Sequence, residues 1–216
     1  MYYRSILAAG RERLGGAPPP VLINSIDAQM VLRLAEGDLV PELRDYLLSE
    51  LGVLARGGAS LALIAANTPD AVFDDVRQRS PIALVSIVEA TRDAVKARGL
   101  SRVGLFGTRF TMRGRFYPGV FAREGIEVVA PTKEDQTYIH DKYVNELLNH
   151  VFSPATRDGL LRGVGTMKEH RGVQAVILGG TELPLILTDP TAAAVPLLDT
   201  TAIHVNAAVQ QLWAHG

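Results

Sequence analysis

Two stretches of the chain gather residue types that can hold anions and move protons. In Val176-Ile177-Leu178-Gly179-Gly180-Thr181-Glu182-Leu183-Pro184, an apolar run meets two glycines, then a hydroxyl and a carboxyl group, then apolar residues again. Leu61-Ala62-Leu63-Ile64-Ala65-Ala66-Asn67-Thr68-Pro69-Asp70 has the same order of apolar run, small residues and polar group. Each reads as a buried parallel strand that ends, turns sharply and starts a helix. Gly179 and Gly180 allow backbone angles and close approaches that a Cβ would block. Thr181 and Glu182, like Asn67 and Thr68, then sit at a strand's carboxyl end beside helix N–H groups that favour an anion. In open α/β sheets ligands bind at such ends. Thr108, after Phe106-Gly107, is a third strand-end hydroxyl. Each of these polar groups has a plainer role open to it, the capping of the helix that follows. Asp70 reads either as a general base or as a first-turn carboxylate whose pKa the helix dipole lowers.

The elements that must position these groups alternate strand and helix. Apolar strands are predicted at 21–24, 61–66, 81–86, 102–106, 126–130, 173–178 and 195–198. Helices are predicted at 2–13, 28–35, 39–56, 89–97, 111–124, 133–150, 156–171 and 200–213. The first of them stops at Gly15-Gly16 before Pro18-Pro19-Pro20. Leu43, Leu47, Leu51 and Leu54 recur on one face of the third helix. Thr68-Pro69-Asp70 reads as a helix start, with Thr68 as N-cap and proline at the first position. Near-continuous apolar strands between helices argue for a parallel sheet covered on both faces. The turn near residues 97–101 divides the chain into an N-terminal domain, 1–97, and a C-terminal domain, 98–199. The helix 200–214 is expected to pack back on the first.

Composition narrows the chemistry. With 216 residues, 47% hydrophobic and 21% charged, the chain has the make-up of an ordinary globular protein. A formal net charge of -1 offers no electrostatic attraction to nucleic acid or an anionic membrane. The chain has no cysteine, which removes disulfides, thiolate–metal sites and thiol nucleophiles. His140-Asp141 has no further metal ligand at useful spacing. No apolar run reaches the roughly 20 residues that span a bilayer. Met1-Tyr2-Tyr3-Arg4-Ser5 lacks the pattern of a signal peptide, so a soluble cytoplasmic protein is expected.

Several motifs, in order, resemble the aspartate/glutamate racemase family, the cofactor-independent amino-acid racemases. They are Ser25-Ile26-Asp27, Ala66-Asn67-Thr68-Pro69, Ser86-Ile87-Val88-Glu89-Ala90-Thr91, Val103-Gly104-Leu105-Phe106-Gly107-Thr108-Arg109-Phe110-Thr111-Met112, Gly179-Gly180-Thr181-Glu182-Leu183-Pro184-Leu185 and Asp199-Thr200-Thr201-Ala202-Ile203-His204. The resemblance implies an α/β fold of two pseudo-symmetric domains, each a parallel sheet flanked by helices, with the substrate in a cleft between them. It also implies a homodimer and no metal or organic cofactor. The family moves the α-proton with two cysteines, one on each face of the substrate. Here Ala66 stands where the first belongs, and the second is absent, its place falling on Gly180 or on Thr181. A glycine-rich strand before the first helix also belongs to the pattern. This chain begins within that helix at Tyr2-Tyr3-Arg4, so the first strand is expected to be missing.

On the resemblance, Ala66, Asn67, Thr68, Thr108, Gly180 and Glu182 are substrate-binding candidates. Thr181 and Asp70 are the catalytic candidates, Asp70 standing where relatives often carry a histidine. His204 reads as a residue reaching the cleft or as a packing group of the last helix. The expected function is racemisation or isomerisation of a small amino acid such as aspartate or glutamate. The expected substrate class is a small amino acid or dicarboxylate. The alternative is a silent relative that binds an amino acid or a partner protein, because an alanine cannot carry a proton and an aliphatic hydroxyl is a weak acid. An isomerase or decarboxylase relative ranks lower, since those also use a cysteine.

Overall fold

The computed structural model describes residues 1–13, 19–189 and 192–214. The expected stop at Gly15-Gly16 and Pro18 lies outside the described residues. The fold is α/β, and it divides into two units. The first comprises Met1–Ala90 with Thr201–Gly216, the second Thr91–Thr200.

In the second unit the apolar strands form a parallel sheet. Strands β3 (Arg102–Gly107), β4 (Glu127–Val129), β5 (Ala175–Gly179) and β6 (Leu197–Asp199) lie in the order β4-β3-β5-β6. All pair in parallel, and β5 is buried at every position. A strand buried on both faces needs helices on both, which is why β5 reads as an unbroken apolar run. Helices α6 (Arg109–Arg113), α7 (Phe116–Ala122), α8 (Lys133–Asn145), α9 (Pro154–Arg171) and α10 (Leu183–Ile186) complete the unit. Phe106, Ile139, Tyr143, Leu147, Leu160, Val164, Met167 and Val176 share one buried cluster.

In the first unit β1 (Leu61–Leu63) and β2 (Ala83–Val85) form a two-stranded parallel sheet. Around them run α1 (Tyr2–Arg13), α2 (Ala28–Glu36), α3 (Val40–Arg56), α4 (Phe73–Arg79), α5 (Ile87–Ala97) and α11 (Thr200–Ala214). The division between units falls inside α5 and at the start of α11. Of the leucine stripe of α3, Leu43, Leu47 and Leu51 are buried and Leu54 is half-buried.

Four local expectations fail. Residues 21–24 form no strand: Leu22 and Ile23 are exposed, and the segment is anchored to α3 by Asn24, whose Nδ2 donates to Glu50 Oε2 at 2.7 Å. The expected helix at 111–124 is broken into α6 and α7 at Gly114, which is extended (φ -66°, ψ 151°). That bend lets the Phe116 ring stack on Phe110, with centroids 6.1 Å apart, where a Cβ on Gly114 would meet Phe116 at 2.5 Å. The helix from Lys133 ends at Asn145, and a 3₁₀ turn, Leu147–Asn149, follows. Thr68 is not an N-cap: it opens a 3₁₀ turn, Thr68–Val72, before α4.

Candidate functional site

The candidate residues fall into two groups, one in each unit. In the second unit they sit where β3 and β5 end side by side, with Gly107 opposite Gly179. The two backbones approach too closely for side chains. A Cβ on Gly107 would lie 2.7 Å from the Gly179 carbonyl oxygen, and one on Gly179 would lie 2.8 Å from that of Phe106. Just beyond, Thr108 follows one strand while Gly180, Thr181 and Glu182 follow the other.

Thr108 is buried and caps α6: its Oγ1 accepts from the Thr111 N–H at 3.2 Å and lies 3.1 Å from Thr111 Oγ1. Its capping role is therefore realised. Thr181 Oγ1 donates to Glu182 Oε2 at 2.8 Å, and the Tyr143 hydroxyl from α8 donates to the same oxygen. Burial, reinforced by the negative charge of Glu182, drives the Tyr143 phenol well above its ordinary value, so it keeps its proton across the biological pH range. Tyr143 gave no sign of itself in the sequence. It lies 39 residues before Glu182, within a helix whose polar and apolar residues describe only a surface stripe.

Tyr143 also explains the glycine at position 180. A Cβ there would lie 2.5 Å from the ring's Cε2 and 2.8 Å from its Cζ and hydroxyl oxygen. Gly180→Ala is expected to cost about 1–3 kcal/mol, the usual penalty of overpacking, in the wild-type background. In a Tyr143→Ala background it should cost almost nothing. Urea denaturation of the two single variants and the double variant measures this, and equal costs in both backgrounds would remove the ring as the obstacle.

The anion-binding helix start expected here is corrected by the length of α10. Leu183–Ile186 is four residues, too short to build an appreciable dipole, and the group at its start is the carboxylate of Glu182.

In the first unit Ala66 is half-buried, while Asn67, Thr68 and Asp70 are buried in the connection from β1 to α4. Beside them β2 ends, Leu63 pairing with Val85, and Ser86 immediately precedes α5. Ser86 Oγ accepts from the Glu89 N–H at 3.0 Å, an N-cap that Ser-x-x-Glu in the sequence could have revealed, and donates to Asp70 Oδ1 at 2.5 Å. The expectation of a lowered pKa for Asp70 is wrong. Burial outweighs the hydrogen bonds from Ser86, Val88 and Ile87 and raises the carboxyl to about 7. A five-residue 3₁₀ turn has too little dipole to oppose that.

His204 is buried in the first unit. Its Nε2 lies 2.8 Å from the Val85 carbonyl oxygen, which can only accept, so that nitrogen carries the proton. Nδ1 then accepts from the Tyr2 hydroxyl at 2.9 Å. Burial lowers its pKa to about 4, so the ring is neutral and structural. Among the described residues no cluster of His, Asp or Glu is arranged to hold a metal ion, and no helix is long and apolar enough to cross a membrane.

The profile of the Asp/Glu/Hydantoin racemase family matches residues 1–208. The chain belongs to that family. Among solved structures, an aspartate racemase homologue from Pyrococcus horikoshii OT3 is 30% identical, with a TM-score of 0.82 over 99% of this chain and 92% of that one. A Yersinia pestis chain described as an Asp/Glu racemase candidate is 31% identical, with a TM-score of 0.87 over 98% of this chain and 92% of that one. The glutamate racemase of Parafrankia sp. (strain EAN1pec) is 32% identical over 153 residues, 68% of this chain and 52% of that protein. The chain thus spans about half the length of the glutamate racemases it matches. For a member of the Asp/Glu/Hydantoin racemase family, the total absence of cysteine is the chemical feature that a functional account has to meet.

Proposed function

We propose that this chain is a cofactor-independent racemase or isomerase of a small amino acid such as aspartate or glutamate, working by abstraction and return of the α-proton. The observation that carries this reading is the family match over residues 1–208, which takes in polar strand ends in both units. In this reading Ala66, Asn67, Thr68, Thr108, Gly180 and Glu182 bind substrate, and Thr181 and Asp70 serve the proton transfers. With no thiol in the chain, Asp70 is the group best matched to acid–base work near neutral pH, its pKa standing at about 7. The protein acts in the cytoplasm as a homodimer. Exposed Leu22, Ile23, Leu39 and Val40 in the first unit supply apolar surface for such an association.

One observation favours the second reading, a catalytically silent amino-acid-binding protein: the Asp70 carboxylate is already engaged by Ser86 and by the N–H groups of Ile87 and Val88. Incubation with L-aspartate or L-glutamate in heavy water, followed by proton NMR, separates the two. A racemase will lose the α-proton signal faster than its Asn67→Ala, Thr181→Ala double variant. Thermal stabilisation by the amino acid with no exchange assigns binding alone. Exchange that persists unchanged in Asp70→Asn would remove Asp70 from the proton transfer.

A further inference from the structure

The β5 corner presents a carboxylate without a cationic partner. Among the described residues no lysine, arginine or histidine pairs with Glu182. Its Oε2 takes the hydroxyl hydrogens of both Tyr143 and Thr181, whereas Oε1 receives no hydrogen bond from the described residues. Glu182 is half-buried, so its negative charge is partly removed from water. A carboxylate in that position gains from a cation that hydrogen-bonds it. The glutamate side chain is also prevented from sweeping through its rotamers. A free glutamate loses rotamer freedom on being fixed, and two hydroxyl clamps meet that cost before a ligand arrives.

We infer that Glu182 is the receptor for the α-ammonium group of an amino acid, and that Tyr143 is the positioning residue that holds it ready. This rests on the reading of the chain as a protein that takes amino acids. It adds the group that separates them from ligands of similar shape. An α-ammonium offers three donors and a positive charge to Oε1. A dicarboxylate without the amino group offers that oxygen only a C–H and leaves its own carboxylates' repulsion with Glu182 uncompensated, and a neutral cyclic ureide such as hydantoin brings no charge at all. Tyr143 suits the positioning role because its phenol stays protonated and therefore always donates to Oε2. Its ring fills the space beside Gly180, so the clamp comes from α8 and not from a side chain on the β5 corner itself.

The test compares dissociation constants by calorimetry on the full chain for L-aspartate against succinate, L-glutamate against glutarate, and hydantoin. The wild type should bind the amino acids about tenfold or more tightly than the diacids. Glu182→Gln, which keeps the shape and the Oε acceptor but not the charge, should bring the ratio close to one. Tyr143→Phe keeps the ring beside Gly180 and removes only the hydroxyl. It should lower the ratio severalfold while the diacid affinity stays as it was, a split that general loosening of the fold would not give. A wild type that binds diacids as well as amino acids, that binds no amino acid, or whose preference survives Glu182→Gln overturns the assignment. Exchange in heavy water is read separately. Preference without exchange defeats the racemase reading and leaves this one standing; exchange with a preference indifferent to Glu182 does the reverse.

Discussion

Gly107→Ala should lower stability by about 3 kcal/mol, the upper end of the range for overpacking, and so lower Tm by about 6–12 °C in a protein of this length. The added methyl group would meet a carbonyl oxygen of the neighbouring strand at 2.7 Å, with Thr111 side-chain carbons 3.1 Å away. A flexible side chain could swing aside, but the Gly179 backbone cannot, because β5 is itself held in register by β3 on one side and β6 on the other. Relief has to come from parting β3 and β5 at their carboxyl ends, which also shifts Thr108, Thr181 and Glu182. The variant should therefore lose ligand-induced thermal stabilisation as well as intrinsic stability. Gly119→Ala is the control, since nothing lies within 4 Å of its Cβ position and it sits in helix α7, where alanine is the better helix former. A Gly107→Ala protein as stable as the Gly119→Ala control would show that the strands are not locked in this register.

Removing Asp70 or His204 should expose opposite pH dependences that the wild type conceals. Asp70 has a folded pKa of about 7 against an ordinary 3.8, so the stability its protonated form confers is complete below pH 3.8 and is lost as pH rises to about 7. His204 has a folded pKa of about 4 against an ordinary 6.5, so the stability of its neutral form is complete above pH 6.5 and is lost as pH falls to about 4. At pH 5 the unfolded chain carries its proton on the histidine and the folded chain carries one on the aspartic acid. Folding therefore takes up no net proton from this pair, and the two slopes cancel between about pH 4 and 6.5. Asp70→Asn keeps a capping acceptor for α5 and leaves the histidine alone. Relative to wild type it should lose roughly 3 kcal/mol on going from pH 7 to pH 4. His204→Gln keeps a donor for the Val85 carbonyl and should lose roughly 3 kcal/mol on going from pH 4 to pH 7. Urea denaturation of both variants against wild type across that range gives the differences, in which all other titrating groups drop out. Profiles parallel to the wild type in both variants would mean that neither group titrates as its surroundings require.

Both groups act on one stretch of chain. His204 fastens Val85, the last residue of β2, and Asp70 fastens Ser86, the first residue beyond it. The stretch linking the β2 end to α5 is thus held by two side chains from distant parts of the sequence. That arrangement could not be read from either residue's neighbours. Asp70 after Thr68-Pro69 has the local signature of a first-turn carboxylate, and by local rules alone its pKa should fall. Burial of the turn among other elements reverses the sign. His204 likewise stands in a helix whose sequence shows only that it is apolar on most sides.

The alternation of near-continuous apolar strands with helices determined the α/β class by itself, because a strand buried on both faces leaves no other pattern. The same holds for the glycine–polar corners at Gly107-Thr108 and Gly179-Gly180-Thr181-Glu182, whose residue types already mark strand ends. The absence of cysteine likewise required no structure to exclude a thiol pair. Tertiary structure decided what each corner carries. Gly180 is bare because Tyr143, from a helix 37 residues earlier, stands where its side chain would be. Glu182 is clamped because that tyrosine reaches it, and Asp70 is near-neutral in pKa because its turn is buried. Local sequence sets backbone preference through short-range sterics and hydrogen bonding. Charge state and side-chain space depend on which distant atoms displace water, and only the folded chain specifies those.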